Sequence, residues 1–159
     1  MYNVILFRGL WGTIWSAGLD ILGESLRKLP NVDYVVVLPY TAQSSAASML
    51  ARFKDPTILI GHSFGVGALL NVAKESKVQI PLAVSFDPSQ YWRGGHTLPK
   101  NIKRCINFWQ DAPWWFIGNQ KITGAENIHV DTTHANIEDR RDLHLKVLDE
   151  INKLPLGEK

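Results

Sequence analysis

Between Val4 and Phe86 the chain carries short, uninterrupted runs of aliphatic and β-branched residues: Val4–Phe7, Tyr34–Leu38, Thr57–Ile60 and Leu82–Phe86. A strand that is apolar at every position has no face for water, so both faces must be covered. The intervals between these runs supply the cover. From Ser16, a plausible N-cap, Leu19, Leu22, Leu26 and Leu29 recur at helical spacing up to the stop at Pro30. Shorter helices are expected over Ser45–Arg52 and Val66–Lys74, the first ending before Asp55-Pro56. Cys105–Trp109 and Asn127–Val130 read as two further strands, and Leu143, Val147, Ile151 and Leu154 mark a terminal helix over Ile137–Leu154. Strands alternating with helices in this way predict one α/β domain over residues 1–159. Its architecture is a three-layer sandwich, a mostly parallel sheet of about six strands flanked by helices.

Composition excludes more than it identifies. With 45% hydrophobic and 20% charged residues in 159, the chain is neither disordered nor collagenous. Lys and Arg number 17 against 15 Asp and Glu, and no basic run marks a nucleic-acid surface, so no nucleic-acid partner is expected. One cysteine, Cys105, cannot form an internal disulfide. The start Met1-Tyr2-Asn3 lacks the basic region of a signal peptide, and no apolar run is long enough for a membrane helix. A cytoplasmic protein is the expectation. The sequence does not set its oligomeric state.

Gly61-His62-Ser63-Phe64-Gly65 joins the third strand to the third helix and fits G-x-S-x-G. The pattern suits a serine at the apex of a tight strand-to-helix turn, with glycines where strand and helix pass too closely for side chains. The same residues could also form a glycine-rich turn with a capping serine. Gly61, Gly65 and Gly67 do not match G-x-G-x-x-G, and no G-K-[ST] occurs, so a phosphate-cradling loop is not indicated.

A serine nucleophile needs a base, and the base needs a carboxylate to fix its tautomer. His62 lies inside the motif and is expected to point away from Ser63. His129 falls in a strand, His144 in the last helix and His96 in a glycine-rich loop. His134 lies in the loop Asp131–Asn136, at the carboxyl edge where Ser63 emerges, and is the candidate base. Two acids are open. Asp87 follows the fourth strand directly and is preferred, although Asp-Pro is also a common turn. Asp111, after the strand Cys105–Trp109, is the alternative; Asp131 is too near His134 in sequence. Oxyanion donors are expected from the backbone N–H groups of Phe64 and of Leu10, the latter in the turn Arg8–Gly12. The scattered histidines suggest no zinc site, and neither metal nor organic cofactor is expected.

With Gly-His-Ser-Phe-Gly on a strand-turn-helix, a glycine-bearing loop after the first strand, then an edge Asp and an edge His, the chain resembles the α/β-hydrolase superfamily, in particular its lipase and esterase branch. The resemblance covers nearly the whole chain. It implies the α/β-hydrolase fold and a Ser63, Asp87, His134 triad, because Phe86-Asp87-Pro88-Ser89 looks like the strand end at which some lipases place their acid. Other members take it from the next strand, which keeps Asp111 open. Arg8-Gly9 stands where members often carry His-Gly. The short interval from Asp87 to Lys103 holds no cap domain, similar in plan to minimal, lidless, cutinase-like enzymes.

Tryptophan is abundant, 6 in 159 residues. Trp11, Trp92, Trp114 and Trp115 fall in loops expected at the carboxyl edge, as does Trp15, and could wall an acyl pocket or pack beneath those loops. The expected activity is hydrolysis of a small or lipid-like carboxylic ester, or a thioester, through an acyl-enzyme. The alternatives are acyl transfer on the same triad and a silent hydrolase fold that binds a ligand.

Overall fold

A computed structural model describes residues 1–10, 17–89, 95–111 and 118–155. The apolar runs become β1 (Tyr2–Arg8), β2 (Val32–Pro39), β3 (Thr57–His62) and β4 (Ala83–Phe86). Short β5 (His96–Thr97) precedes β6 (Cys105–Trp109), and β7 (Ile122–Thr123) precedes β8 (Glu126–His129). Six strands form one sheet in the order β2-β1-β3-β4-β6-β8, and every pairing in it is parallel. The fold class is therefore the one the sequence predicts, an α/β sandwich.

Alternate side chains of each strand enter opposite cores, as the two-residue period of a strand requires. Val4, Leu6, Ile58, Ile60, Val84, Phe86, Ile106 and Phe108 face α1 (Ala17–Leu26) and α4 (Arg141–Asn152), which contribute Leu19, Leu22, Leu26, Leu143, Val147 and Ile151. Ile5, Phe7, Leu59, Ala83 and Cys105 face α2 (Gln43–Arg52) and α3 (Phe64–Glu75), through Ala46, Leu50, Val66, Leu69 and Val72. Each fully buried leucine or isoleucine among them contributes about 1.5–3 kcal/mol by leaving water.

The helices depart from expectation at their ends. α1 closes at Leu26 rather than Leu29, because Lys28 N–H and Leu29 N–H bond three residues back, to Ser25 O and Leu26 O, tightening the chain before Pro30. Its expected cap, Ser16, lies outside the described residues. The terminal helix is not continuous. A 3-10 turn over Ile137–Asp139 gives way to an extended Arg140 (φ −65°, ψ 110°) before α4 begins. The break turns Glu138 inward, where its carboxyl accepts the Leu19 N–H at 2.9 Å and its carbonyl accepts His144 Nε2–H at 2.6 Å. β8 sits one residue earlier than predicted, and β5 and β7, a parallel pair of two residues each, have no counterpart in the sequence reading.

The sheet order reverses at β1. α1, which follows β1, packs on one face, whereas α3, which follows β3, packs on the other. The carboxyl ends of β1 and β3 therefore open a crevice between diverging connections, the usual ligand position in open α/β sheets.

Candidate active site at the carboxyl edge of the sheet

Ser63 joins β3 to α3 with φ 56° and ψ −125°, a conformation that L-residues adopt only under local constraint. The flanking glycines explain how the turn closes. A Cβ on Gly61 would lie 2.8 Å from the Gly65 carbonyl, and one on Gly65 would lie 2.1 Å from Phe7 O. Strand, turn and helix are thus in backbone contact, and Ser63 is pressed out at the apex.

Backbone ladders carry Asp87 into place. Ser63 N–H donates to Phe86 O at 3.0 Å and Asp87 N–H donates to Phe108 O at 2.7 Å, so β3, β4 and β6 stay registered to their last residues. Asp87 leaves β4 with φ 44° and is completely buried. Its Oδ2 accepts from Gln110 Nε2 at 2.7 Å and lies 2.7 Å from His134 Nδ1, and its Oδ1 accepts from Asn119 N–H at 2.8 Å. A carboxylate, which only accepts, matches these donors, and it makes His134 Nδ1 a donor. His134 Nε2 is then the acceptor for a neutral ring, and it lies 3.0 Å from Ser63 Oγ. The described non-glycine residues with positive φ are Ser63, Asp87 and Asn119, and all three belong to this cluster.

His62 does not simply turn its back on the site. Its Nε2–H donates to His134 O at 3.2 Å, and the two rings lie 4.9 Å apart at 32°. Burial, reinforced by the neighbouring His134, pushes the His62 pKa down to about 3, so the ring stays neutral and serves as a fixed prop beneath His134.

Asp111, the alternative acid, is brought to His129, not to His134. Its Oδ1 lies 2.8 Å from His129 Nε2, and both side chains are exposed, at 66% and 45%. That hydrogen bond holds the Asp111 carboxyl below the usual range. Of the expected oxyanion donors, Phe64 is the first residue of α3. Leu10 follows Gly9, whose hypothetical Cβ would lie 2.8 Å from Ser63 Cβ, so the turn after β1 abuts the serine. Trp11, Trp15, Trp92, Trp114 and Trp115 lie outside the described residues. Trp109 is described, packed edge-on to His129 with Lys121 Nζ 4.6 Å above its ring.

Four participants were not anticipated: Ser89, Gln110, Gly118 and Asn119. Gly118 N–H donates to Ser89 Oγ at 2.9 Å, and Ser89 Oγ lies 3.2 Å from Ser63 Oγ. The Gly-Asn pair carries a turn signal in sequence; Ser89 and Gln110 carry none. Among the described residues, no cluster of three or more His, Cys, Asp or Glu side chains could hold a metal ion, and no helix is long and apolar enough to cross a membrane.

A crystal structure from Pectobacterium atrosepticum, of a protein provisionally named a YdeN-like hydrolase, superposes on this chain with a TM-score of 0.63. The match covers 95% of this chain and 92% of that one, at 16% identity. The chain has a hydrolase fold. At that identity the likeness speaks for the hydrolase fold and not for a substrate. No protein-family model matches the sequence, and no curated protein matches it.

Proposed function

We propose that the protein is a serine hydrolase that cleaves a carboxylic ester, or a thioester, through an acyl-enzyme. The observation that carries this reading is the continuous relay from Asp87 through His134 to Ser63, with contacts of 2.7 and 3.0 Å, at the crevice of a hydrolase fold. A histidine fixed in one tautomer by a buried carboxylate, and reaching a strained serine, can remove the hydroxyl proton as the oxygen attacks.

In this mechanism Ser63 Oγ adds to the ester carbonyl while His134 Nε2 takes its proton. The carbonyl oxygen becomes an oxyanion, held by the N–H groups of Phe64 and Leu10 and favoured by the positive end of α3. Collapse expels the alcohol, which takes the proton from His134. Water then attacks the acyl-enzyme, giving a proton to His134, and Ser63 leaves with that proton restored. Asp87 holds the imidazole and stabilises the imidazolium without itself being protonated. On sequence position alone, Trp11, Trp92, Trp114 and Trp115 are the candidates for contact with the acyl group.

The test uses a fluorophosphonate probe on the purified protein, with the adduct located by peptide mass spectrometry and Ser63→Ala as control. Adduct confined to Ser63 is expected. A folded protein that takes no label would overturn the reading and leave a ligand-binding hydrolase fold in its place.

A further inference from the structure

We infer that Ser89 is a positioning residue for the nucleophile, donating its hydroxyl proton to Ser63 Oγ; this rests on the serine-hydrolase reading of the site. The assignment follows from counting protons along the cluster. Asp87 accepts, so His134 Nδ1 donates and Nε2 accepts. Ser63 has one hydroxyl proton, and the 3.0 Å contact to Nε2 uses it. The 3.2 Å contact between Ser63 and Ser89 must then be donated by Ser89. Ser89 Oγ in turn accepts the Gly118 N–H at 2.9 Å, which occupies a lone pair and leaves its proton directed at Ser63. Donation thus runs one way, from Gly118 N–H to Ser89, to Ser63, to His134 Nε2.

The placement is enforced by backbone. Ser89 N–H bonds Ser63 O at 3.3 Å, and Ser89 and Ser63 are 2% and 4% exposed. The incoming hydrogen bond removes the rotamers of Ser63 that face away from His134. It also places a donor on the oxygen that departs with negative charge when the acyl-enzyme breaks down. In the opposite polarity Ser63 would donate to Ser89, and His134 Nε2 would receive no proton from the nucleophile. The two polarities predict opposite consequences for removing the Ser89 hydroxyl.

The experiment measures fluorophosphonate labelling of Ser63, resolved into probe binding and bond formation, and steady-state hydrolysis of a short p-nitrophenyl ester. In Ser89→Ala the bond-forming rate and kcat are expected to fall about ten- to thirtyfold, with probe binding and KM unchanged. A general loss of packing would not confine the loss to kcat. Ser89→Cys, close in size with a weaker donor, should fall between the two and keeps the test available where the alanine variant does not fold. Wild-type labelling rates in the folded variants overturn the role of Ser89 while leaving the hydrolase reading intact. A wild-type protein that does not label overturns both.

Discussion

Gly118→Ala should disable the site while leaving Ser63, His134 and Asp87 themselves unchanged. A Cβ at position 118 would lie 2.0 Å from Asp87 Oδ2, 2.5 Å from its Cγ and 2.6 Å from His134 Nδ1. To reach ordinary van der Waals separation the carboxylate would have to withdraw by roughly 1.4 Å, more than its 2.7 Å bond to His134 tolerates. The backbone resists as well, since φ is +72° and a side chain there costs about 1–2 kcal/mol. Overpacking adds about 1–3 kcal/mol. The sum, about 2–5 kcal/mol, corresponds to a Tm lower by roughly 4–20 °C for a chain of this length. Misplacing the acid–base pair by an ångström should lower kcat by about 10²- to 10⁴-fold. Gly95→Ala is the control. Its φ is +65°, with no atom of the described residues within 4 Å of a new Cβ, so it carries the backbone cost alone and should keep wild-type kcat. Thermal melts followed by circular dichroism, with ester hydrolysis measured at saturation, compare the two variants. Wild-type kcat in Gly118→Ala, or equal losses in both, would refute the reasoning.

Asp87→Asn should cost about 10⁴ in kcat through loss of the orienting acceptor, whereas Asp111→Asn, altering an exposed pair with His129, should change kcat less than twofold. The reverse ranking in steady-state assays would move the acid to Asp111. Burial, aided by Asp139, raises the Glu138 pKa from 4.5 to about 8, so the folded protein holds a proton that the unfolded chain releases. The stability this group contributes is then full below about pH 4.5 and is lost as pH rises through 8, by up to about 5 kcal/mol. Urea titrations across this window should show that slope flattened in Glu138→Gln; parallel slopes in the two proteins would refute the assignment.

What the sequence reveals and conceals divides along a physical line. The strands and the serine turn are legible because each carries its reason locally. Val4–Phe7 and Thr57–Ile60 are apolar at every position, and the glycines at 61 and 65 stand where backbones touch. Glu138 is illegible because the group that breaks the terminal helix to receive it, the Leu19 N–H, lies 119 residues away. The choice between Asp87 and Asp111 is likewise not local, since both follow strands. It turns on sheet order: β4 lies beside β3, about 4.8 Å away, and β6 lies one strand further, with His129 of β8 at its side. Gly118 and Asn119 act through backbone N–H groups, which every residue but proline possesses, so composition cannot single them out. Ser63 and His134, which the fold brings to 3.0 Å of each other, could be singled out from residue type and edge position. The donors that hold the cluster in register belong to the folded backbone, so a sequence reading of such a cluster misses its backbone supports before its polar side chains.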